Sequence, residues 1–414
     1  EDPQRATLSG AVETPNLTVR SSRIAPEPIG PVRLGYDFAA DLNTAAPFTQ
    51  AELARPVPGT DVPPPIGAGA PEDDQLRGTF RVTEGKLSVG RLNARFRPVL
   101  QGLSAARGET AVPRPARIDF ELELPETPLQ AIVDASPPAV LGPLQGLQLG
   151  GTFSWEIRLE APLRRLSWTR WQETNRLEQF AIEDVDPAYD VRLLAGAFRH
   201  RITNAETGYR RVVTVPPSNG GRPPVRGAWA SIPVLGTTPQ DARPDPSYRY
   251  SHYEEISPAF IGAVVTAEDG EFFRHNGVNW LALTFAMEVN LAQGGIVIGG
   301  STIPMQLAKN VFLDDSRVLV RKLQELGLVA LSNLSSAVTR KRVLEIYLNV
   351  IEFGPNVYGI NDATQHYFDR TPVEMSVPQA VWLASIIRNP RELSRDALSG
   401  EVPPWRLERM ANMM

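Results

Sequence analysis

Residues 268–277 read EDGEFFRHNG, and residues 299–310 read GGSTIPMQLAKN. Two shorter blocks follow, RKLQE at 321–325 and LEIYLN at 344–349. Between and around these blocks the apolar residues recur at spacings of three and four, which is typical of amphipathic helices. The sequence after Tyr250 therefore predicts a mostly helical region that carries short polar motifs.

Local signals predict where two of these helices begin. Ser257 followed by Pro258 combines an N-cap residue with proline in the first turn, ahead of an apolar run. Ser376 and Gln379 have the spacing of a capping box, in which each side chain bonds the other residue's backbone. We expect helices to start at both places.

The first 180 residues have a different pattern, in which apolar and polar residues alternate. One example is the run Ile118, Phe120, Leu122 and Leu124. Alternation with period two predicts strands with one apolar face. Glu84-Gly85 lies between two such runs and predicts a hairpin turn. Residues 181–248 are rich in proline and predict an extended connector.

Composition limits the classes of function. The chain has 414 residues, a net charge of −5 and no cysteine, so disulfides and cysteine-bound metals are excluded and a nucleic-acid partner is not expected. No apolar run reaches the length of about 18 residues that a membrane span needs. The N-terminal sequence resembles the interior of a protein, and we expect a membrane anchor to precede it.

The four blocks, in this order, resemble the signature motifs of glycosyltransferase family 51, the peptidoglycan glycosyltransferases, over about 250–395. The resemblance implies a lysozyme-like, mostly α domain over 249–400. It implies that lipid II is polymerised into glycan strands, with lipid II and the growing glycan chain as partners. It also implies a location at the periplasmic face of the bacterial inner membrane.

That reaction needs a base, because a neutral sugar hydroxyl is a poor nucleophile. Glu268 is the candidate, and the alternative is an exposed glutamate at a helix end. Burial would raise its pKa and help it to act near neutral pH. Glu325 lies one turn after Arg321, so the two can pair on one helix face. In the family the matching glutamate is a second functional carboxylate, and a plain surface ion pair is the alternative.

The leaving pyrophosphate requires positive charge. Arg321, Lys322 and Lys309 are the candidates, because arginine grips phosphate through two donors and lysine supplies a point charge. Further substrate-binding candidates lie in the second block, Ser301, Thr302 and Gln306, behind glycines that permit close backbone approach.

Glu345 and Asn349 share one helix face, where a substrate role and a core hydrogen bond are equally open. His275 is expected to be structural, and no metal site is proposed. Mg²⁺ or Mn²⁺ assists some members of the family, so a divalent ion stays open as a cofactor.

Residues 278–297 are apolar around too much of a helix for burial of one face. In the family this region is a jaw that dips into the bilayer; burial in the core is the alternative. The sequence departs from the family at Pro304 and Met305, where Thr-Gln is usual, at Ile298, where Gln is usual, and near Phe285, where an Arg is absent. No transpeptidase motifs follow.

The run from Phe120 to Gly151 resembles AsmA-type periplasmic domains, which implies a curved sheet with an apolar groove for acyl chains. A plain β scaffold is the alternative. The predicted architecture is therefore an α+β multidomain protein, with a β-rich AsmA-like domain over 1–180 before the helical domain. Besides transfer, two readings stay open: hydrolysis of glycan, and an inactive scaffold that binds lipid II.

Overall fold

The computed structural model describes most of the chain: residues 5–21, 25, 27–47, 77–89, 91–101, 117–162, 169–204, 207–218, 228–293, 299–313, 319–399 and 402–414. Within these ranges a strand-rich N-terminal region precedes a helical C-terminal region. This mixed α/β architecture agrees with the predicted class. The AsmA-like and lysozyme-like identities stay predictions.

The N-terminal region is built on one antiparallel sheet whose strands lie in chain order. The strands are β1 (Arg5–Val19), β2 (Ile29–Pro47), β3 (Arg77–Val89), β4 (Leu92–Gln101), β5 (Arg117–Pro128), β6 (Gln148–Pro162) and β7 (Arg170–Asp184). Two short helices, α1 (Leu129–Ala135) and α2 (Pro138–Leu141), connect β5 to β6. Helix α1 packs against β4, β5 and β6.

The two faces of this sheet differ in chemistry, because cross-strand neighbours share a face. One row runs through Phe38, Gly85, Phe96, Leu122 and Ile157. The adjacent row on the other face runs through Lys86, Arg95, Glu123 and Glu156. The alternation read from the sequence therefore corresponds to an apolar face and a charged face.

The predicted hairpin turn at Glu84-Gly85 is wrong. β3 continues through both residues to Val89, with register shifts against β2 between Val82 and Glu84 and against β4 between Arg81 and Gly85. A Cβ atom on Gly85 would lie 2.6 Å from the carbonyl oxygen of Phe96 and 2.8 Å from its ring. Glycine is therefore required by the close approach of Phe96 rather than by a turn.

The described parts of 181–248, namely 181–204, 207–218 and 228–248, do not form an extended connector. They contain the end of β7 and the hairpin of β8 (Phe198–Asn204) and β9 (Tyr209–Val215), with short 3₁₀ turns around it. Several of their apolar side chains are buried in the same core as the helices: Val191, Leu194, Phe198, Val215 and Leu235. Burial of apolar surface outweighs the extended tendency of the prolines. The boundaries at 180 and 248 stay predictions.

The helical region is built around a buried central helix. Its helices are α3 (Pro258–Glu268), α4 (Trp280–Gln293), α5 (Ile303–Phe312), α6 (Leu319–Ser335), α7 (Arg340–Val350), α8 (Ile360–Phe368), α9 (Val377–Ile386), α10 (Pro390–Ser399) and α11 (Pro404–Met413), with a small pair of strands, β10 (Glu352–Gly354) and β11 (Val357–Tyr358). Every residue of α7 from Arg342 to Val350 is buried.

Both predicted helix starts are confirmed. α3 begins at Pro258, directly after Ser257. Ser376 and Gln379 form the capping box at the start of α9, where Gln379 Oε1 accepts from the Ser376 backbone N–H at 2.9 Å. No helix in the described ranges is both long and apolar enough to cross a membrane.

The β region and the helical region are in direct contact. Gln324 of α6 donates to the carbonyl oxygen of Ala139 in α2 at 3.1 Å. The rings of Trp171 in β7 and Trp280 in α4 lie 5.1 Å apart. Leu144 and Leu147, which follow α2, are buried in the helical core. The sheet is therefore attached next to both the apolar helix α4 and the motif helix α6.

Candidate active site

Glu268 is the last residue of α3, and its side chain is about 10% exposed. Its Oε2 accepts from Gln306 Nε2 at 3.1 Å, and its Oε1 lies 3.4 Å from Arg409 Nη2. Burial raises the pKa of Glu268, while the Gln306 hydrogen bond and the charges of Arg409 and Arg388 oppose the rise. A buried carboxylate with a raised pKa has the properties of a general base near neutral pH.

The residues after Glu268 tie the first motif to the N-terminal end of α5. Asp269 is buried; its Oδ2 accepts from the Ile303 backbone N–H at 3.0 Å, and its Oδ1 lies 2.8 Å from His275 Nε2. The Gly277 N–H donates to His275 Nδ1 at 3.0 Å. The proton of a neutral His275 therefore sits on Nε2 and points at Asp269. His275 is structural here, as expected.

Thr302 and Ser301 take different roles at the start of α5. Thr302 is the buried N-cap; its Oγ1 accepts from Met305 N–H at 3.4 Å and donates to the Gly277 carbonyl oxygen at 2.5 Å. This geometry favours a structural role for Thr302 over substrate binding. Ser301 Oγ accepts from Lys322 Nζ at 2.7 Å, so it is directed at the cations of α6.

Glu325 is buried on α6 between the two predicted cations. Its Oε2 accepts from Lys322 Nζ at 2.5 Å, and its Oε1 lies 3.1 Å from Arg321 Nη1. The one-turn pairing of Arg321 with Glu325 is confirmed. Because its side chain is only 2% exposed, a plain surface ion pair does not describe this contact. Two cations around one carboxylate leave the cluster with a net positive charge.

The guanidinium of Arg321 has unused donors. Its Nε and Nη1 are buried, and within the described part of the chain neither has an acceptor in hydrogen-bond geometry. Nη1 is near Glu325, but the approach is not aligned for a hydrogen bond. Buried donors without an acceptor are costly unless a ligand supplies one. The binding of an anion such as pyrophosphate by Arg321 stays a prediction, and these donors are the observation that bears on it.

The two carboxylates are connected through one short segment. Gln306 bonds Glu268, while Ser301 bonds Lys322, which in turn bonds Glu325. The segment 301–306 at the start of α5 therefore has the Glu268 group and the positively charged Glu325 cluster as its neighbours. Lys309 is half-buried one turn further along α5.

Glu345 and Asn349 are bonded into the protein core. Glu345 pairs with buried Arg342 and accepts from Tyr250 Oη at 2.7 Å and from Tyr253 N–H at 2.9 Å. Asn349 is fully buried and exchanges hydrogen bonds with the backbone of Ser251. Both side chains hold the segment before α3 against α7. We therefore assign them to structure and not to substrate binding.

The proposed jaw is only partly described, since residues 294–298, including Ile298, lie outside the described ranges. Helix α4 exposes Trp280, Leu281 and Phe285. Leu281, at 66%, is the most exposed of the three. These three side chains are therefore not buried in the core, and membrane contact through α4 stays a prediction.

Sequence reasoning missed two side chains that complete the Glu268 group. Tyr347, fully buried on α7, donates to Gln306 Oε1 at 2.9 Å and so orients its amide toward Glu268. Arg409 on α11 approaches Glu268 from the end of the chain. Tyr347 lies within the fourth sequence block, so the block itself could have indicated this residue. No local pattern connects residue 409 with residue 268.

Metal binding receives no support from the described residues. They contain no group of three or more histidine, aspartate or glutamate side chains that could hold a metal ion. Both oxygens of Glu325 already face cations. The donor set therefore does not fit a divalent ion at Glu325, and no reaction step is derived through one.

Comparison with known proteins finds relatives of the helical region. A family model described as Transglycosylase matches residues 237–411. Three proteins named biosynthetic peptidoglycan transglycosylase are similar to this chain. The protein of Acinetobacter baylyi is 41% identical, and the alignment covers 34% of this chain and 63% of the relative. The protein of Nitrosomonas eutropha is 44% identical, with 35% of this chain and 58% of the relative covered, and that of Laribacter hongkongensis is 42% identical, with 35% and 62% covered in the same order. The chain thus spans about three fifths of each relative.

The matched stretch coincides with the helical region and begins within the residues that sequence reasoning treated as a connector. It ends in α11, so that it includes the helix of Arg409. The β region lies outside the match. Residues 237–411 are therefore similar to the transglycosylase family, and this stretch contains Glu268 and Glu325 together with Gln306, Lys322 and Arg409.

Proposed function

We propose that this protein is a peptidoglycan glycosyltransferase that polymerises lipid II. The observation that carries the proposal is the arrangement around segment 301–306. A buried carboxylate with a raised pKa contacts this segment through Gln306, and a positively charged cluster contacts it through Ser301. A base and an anion site are the two features that this transfer needs.

The reaction follows from these two groups. The 4-hydroxyl of incoming lipid II attacks the anomeric carbon of the growing lipid-linked chain, and Glu268 takes the hydroxyl proton. A new glycosidic C–O bond forms with inversion while the bond to undecaprenyl pyrophosphate breaks. The electron pair of that bond leaves with the pyrophosphate. Arg321 and Lys322 stabilise its negative charge, with Lys309 further along α5.

The departures from the family motif at Pro304 and Met305 do not remove this chemistry. Pro304 and Met305 occupy the first turn of α5 and are buried. Proline is tolerated there because the first N–H groups of a helix have no partner within the helix. Gln306 keeps its contact with Glu268. The inactive-scaffold reading is therefore disfavoured by the position of the changes.

Products distinguish transfer from the alternatives. Wild-type protein is incubated with fluorescent lipid II in vesicles, and the glycan is separated by length. Long strands with release of undecaprenyl pyrophosphate are expected. Shortened strands from added sacculus glycan would instead indicate hydrolysis, and binding of lipid II without turnover would indicate a scaffold.

We also propose that the protein works at the periplasmic face of the inner membrane, with α4 in contact with lipid. Exposed Trp280, Leu281 and Phe285 support this placement. Vesicle flotation tests it: Leu281→Ser combined with Phe285→Ser should lower the bound fraction, whereas the exposed polar change Glu271→Gln should not. Equal binding of all three proteins would contradict lipid contact through α4.

A role for the β region in guiding lipid is proposed from one observation. The apolar face of the sheet includes Trp171, which pairs with Leu159 and touches Trp280 of α4. Apolar surface thus continues from the sheet to the proposed membrane helix. The AsmA-like identity is part of this proposal. A plain scaffold would need no such continuity.

Two substitutions on one strand test lipid guiding. Phe96→Asn changes the apolar face, and Arg95→Asn changes the charged face one residue away. If the face carries the prenyl chain, the first change raises the KM for lipid II several-fold and the second does not. Equal KM values for both variants and the wild type would remove the guiding role.

A further inference from the structure

Helix α11 is fastened to the helical region by a buried arginine. Arg406 is fully buried; its Nη1 donates to the Leu393 carbonyl oxygen at 2.7 Å and its Nε to Ser385 Oγ at 3.0 Å. Its guanidinium also lies over the ring of Trp382. These contacts with α9 and α10 fix the orientation of α11. They thereby fix the position of Arg409, one turn further along the helix.

That next turn directs Arg409 at the end of α3. Its Nη2 donates to the carbonyl oxygen of Ala267 at 3.1 Å and lies 3.4 Å from Glu268 Oε1. The last carbonyl groups of a helix have no partner within it and carry partial negative charge. One guanidinium therefore satisfies the α3 terminus and approaches the side chain of its last residue.

The two oxygens of Glu268 have different partners. Gln306, itself oriented by Tyr347, donates to Oε2, and Arg409 approaches Oε1. The titratable and charged groups around the carboxylate are Arg409 of α11, Arg388 just after α9, Asp269 just after α3 and Tyr347 of α7. Arg409 Nη2 lies 3.4 Å from Glu268 Oε1.

We propose that Arg409 is a positioning residue for Glu268: it holds the carboxylate in the orientation that Gln306 completes, and it keeps the carboxylate ionised and ready to accept a proton. The inference rests on the proposed function, in which Glu268 is the base. It adds that α11, which is distant in sequence from the motifs, orients the carboxylate of Glu268.

The balance of forces gives the direction of the effect. Burial raises the pKa of Glu268, and the charge of Arg409 lowers it. Removal of that charge should raise the pKa further. A base works only when it is deprotonated, so the acid limb of the pH profile of kcat/KM should move to higher pH.

The experiment compares three variants in lipid II polymerisation across pH. Arg409→Gln should move the acid limb upward by about one pH unit, which lowers kcat/KM about tenfold on the limb. Arg409→Lys keeps a cation and should return the limb to near its wild-type position. Glu408→Gln changes an exposed charge on the same helix and should leave the limb unchanged.

A second measurement does not depend on turnover. The carboxyl ¹³C resonance of Glu268, identified by its loss in Glu268→Gln, is titrated in the wild type and in Arg409→Gln. The midpoint should be higher in Arg409→Gln. If midpoint and acid limb are both unchanged, the inference is overturned, even when polymerisation supports the proposed function. If neither the wild type nor any variant polymerises but the midpoint moves, the contact is confirmed and the proposed function fails.

Discussion

The two buried carboxylates of the helical region differ in what surrounds them. Glu268 has one amide donor at 3.1 Å and one arginine at 3.4 Å, whereas Glu325 has a lysine at 2.5 Å and an arginine at 3.1 Å. A loosely paired, buried carboxylate is free to take a proton. A carboxylate between two close cations instead fixes their positions. In the proposed function, Glu268 therefore serves as the base, whereas Glu325 organises positive charge.

We expect the largest loss of polymerisation rate from substitution of Glu268. Glu268→Gln keeps the size and the hydrogen-bonding side chain but removes the base, so polymerisation should fall by about 10²- to 10⁴-fold. The melting temperature should stay near that of the wild type. Initial rates with lipid II and thermal unfolding measure the two effects. Glu271→Gln, an exposed change in the same motif, is the matched control and should keep full activity.

Glu325→Gln should have a smaller effect on the rate and a larger one on stability. It leaves Lys322 and Arg321 without their anionic partner, and loss of one member of a buried ion pair costs about 3–5 kcal/mol. We expect a loss of about 10²-fold in rate with a lower melting temperature. A variant with normal stability and a full loss of rate would mean that Glu325 shares the role of base.

Arg321→Lys tests the shape of the anion site. Lysine keeps the charge but loses the forked donors that remain unused in Arg321. The rate should fall about tenfold, mainly through transition-state stabilisation, with Arg395→Lys at an exposed position as control. Full activity of Arg321→Lys would show that only charge matters at this position.

Glu345→Gln should affect the rate least. It removes the carboxylate that pairs with buried Arg342, so the free energy of unfolding should fall by about 3–5 kcal/mol. Denaturant titration measures this change. The rate per folded molecule should stay within about twofold of the wild type, because Glu345 is bonded to Tyr250 and Tyr253 and not to the Glu268 group. A selective loss of rate would restore Glu345 to the substrate path.

Local patterns predicted the features that depend on neighbours in the sequence. The start of α3 at Pro258, the capping box at Ser376 and the pairing of Arg321 with Glu325 follow from spacing and side-chain type. The two-sided chemistry of the sheet likewise followed from alternation. These features involve residues within one element, where the backbone geometry fixes which side chains meet.

Features that depend on tertiary packing could not be predicted in this way. Arg409 reaches Glu268 across a separation of 141 residues, and nothing near either residue indicates the other. Residues 181–248 contain many prolines, yet Val191 and Phe198 are buried with the helices. Gly85 looked like a turn because the reason for the glycine, the ring of Phe96, lies on another strand.

The pH dependence of kcat/KM for lipid II polymerisation tests the central claim most directly. Because burial raises the pKa of Glu268, activity should rise with pH through a midpoint above the ordinary glutamate value of about 4.3. The small residual activity of Glu268→Gln should lack this limb. A limb that persists unchanged in Glu268→Gln, or a wild-type rate that is flat through this range, would contradict the account.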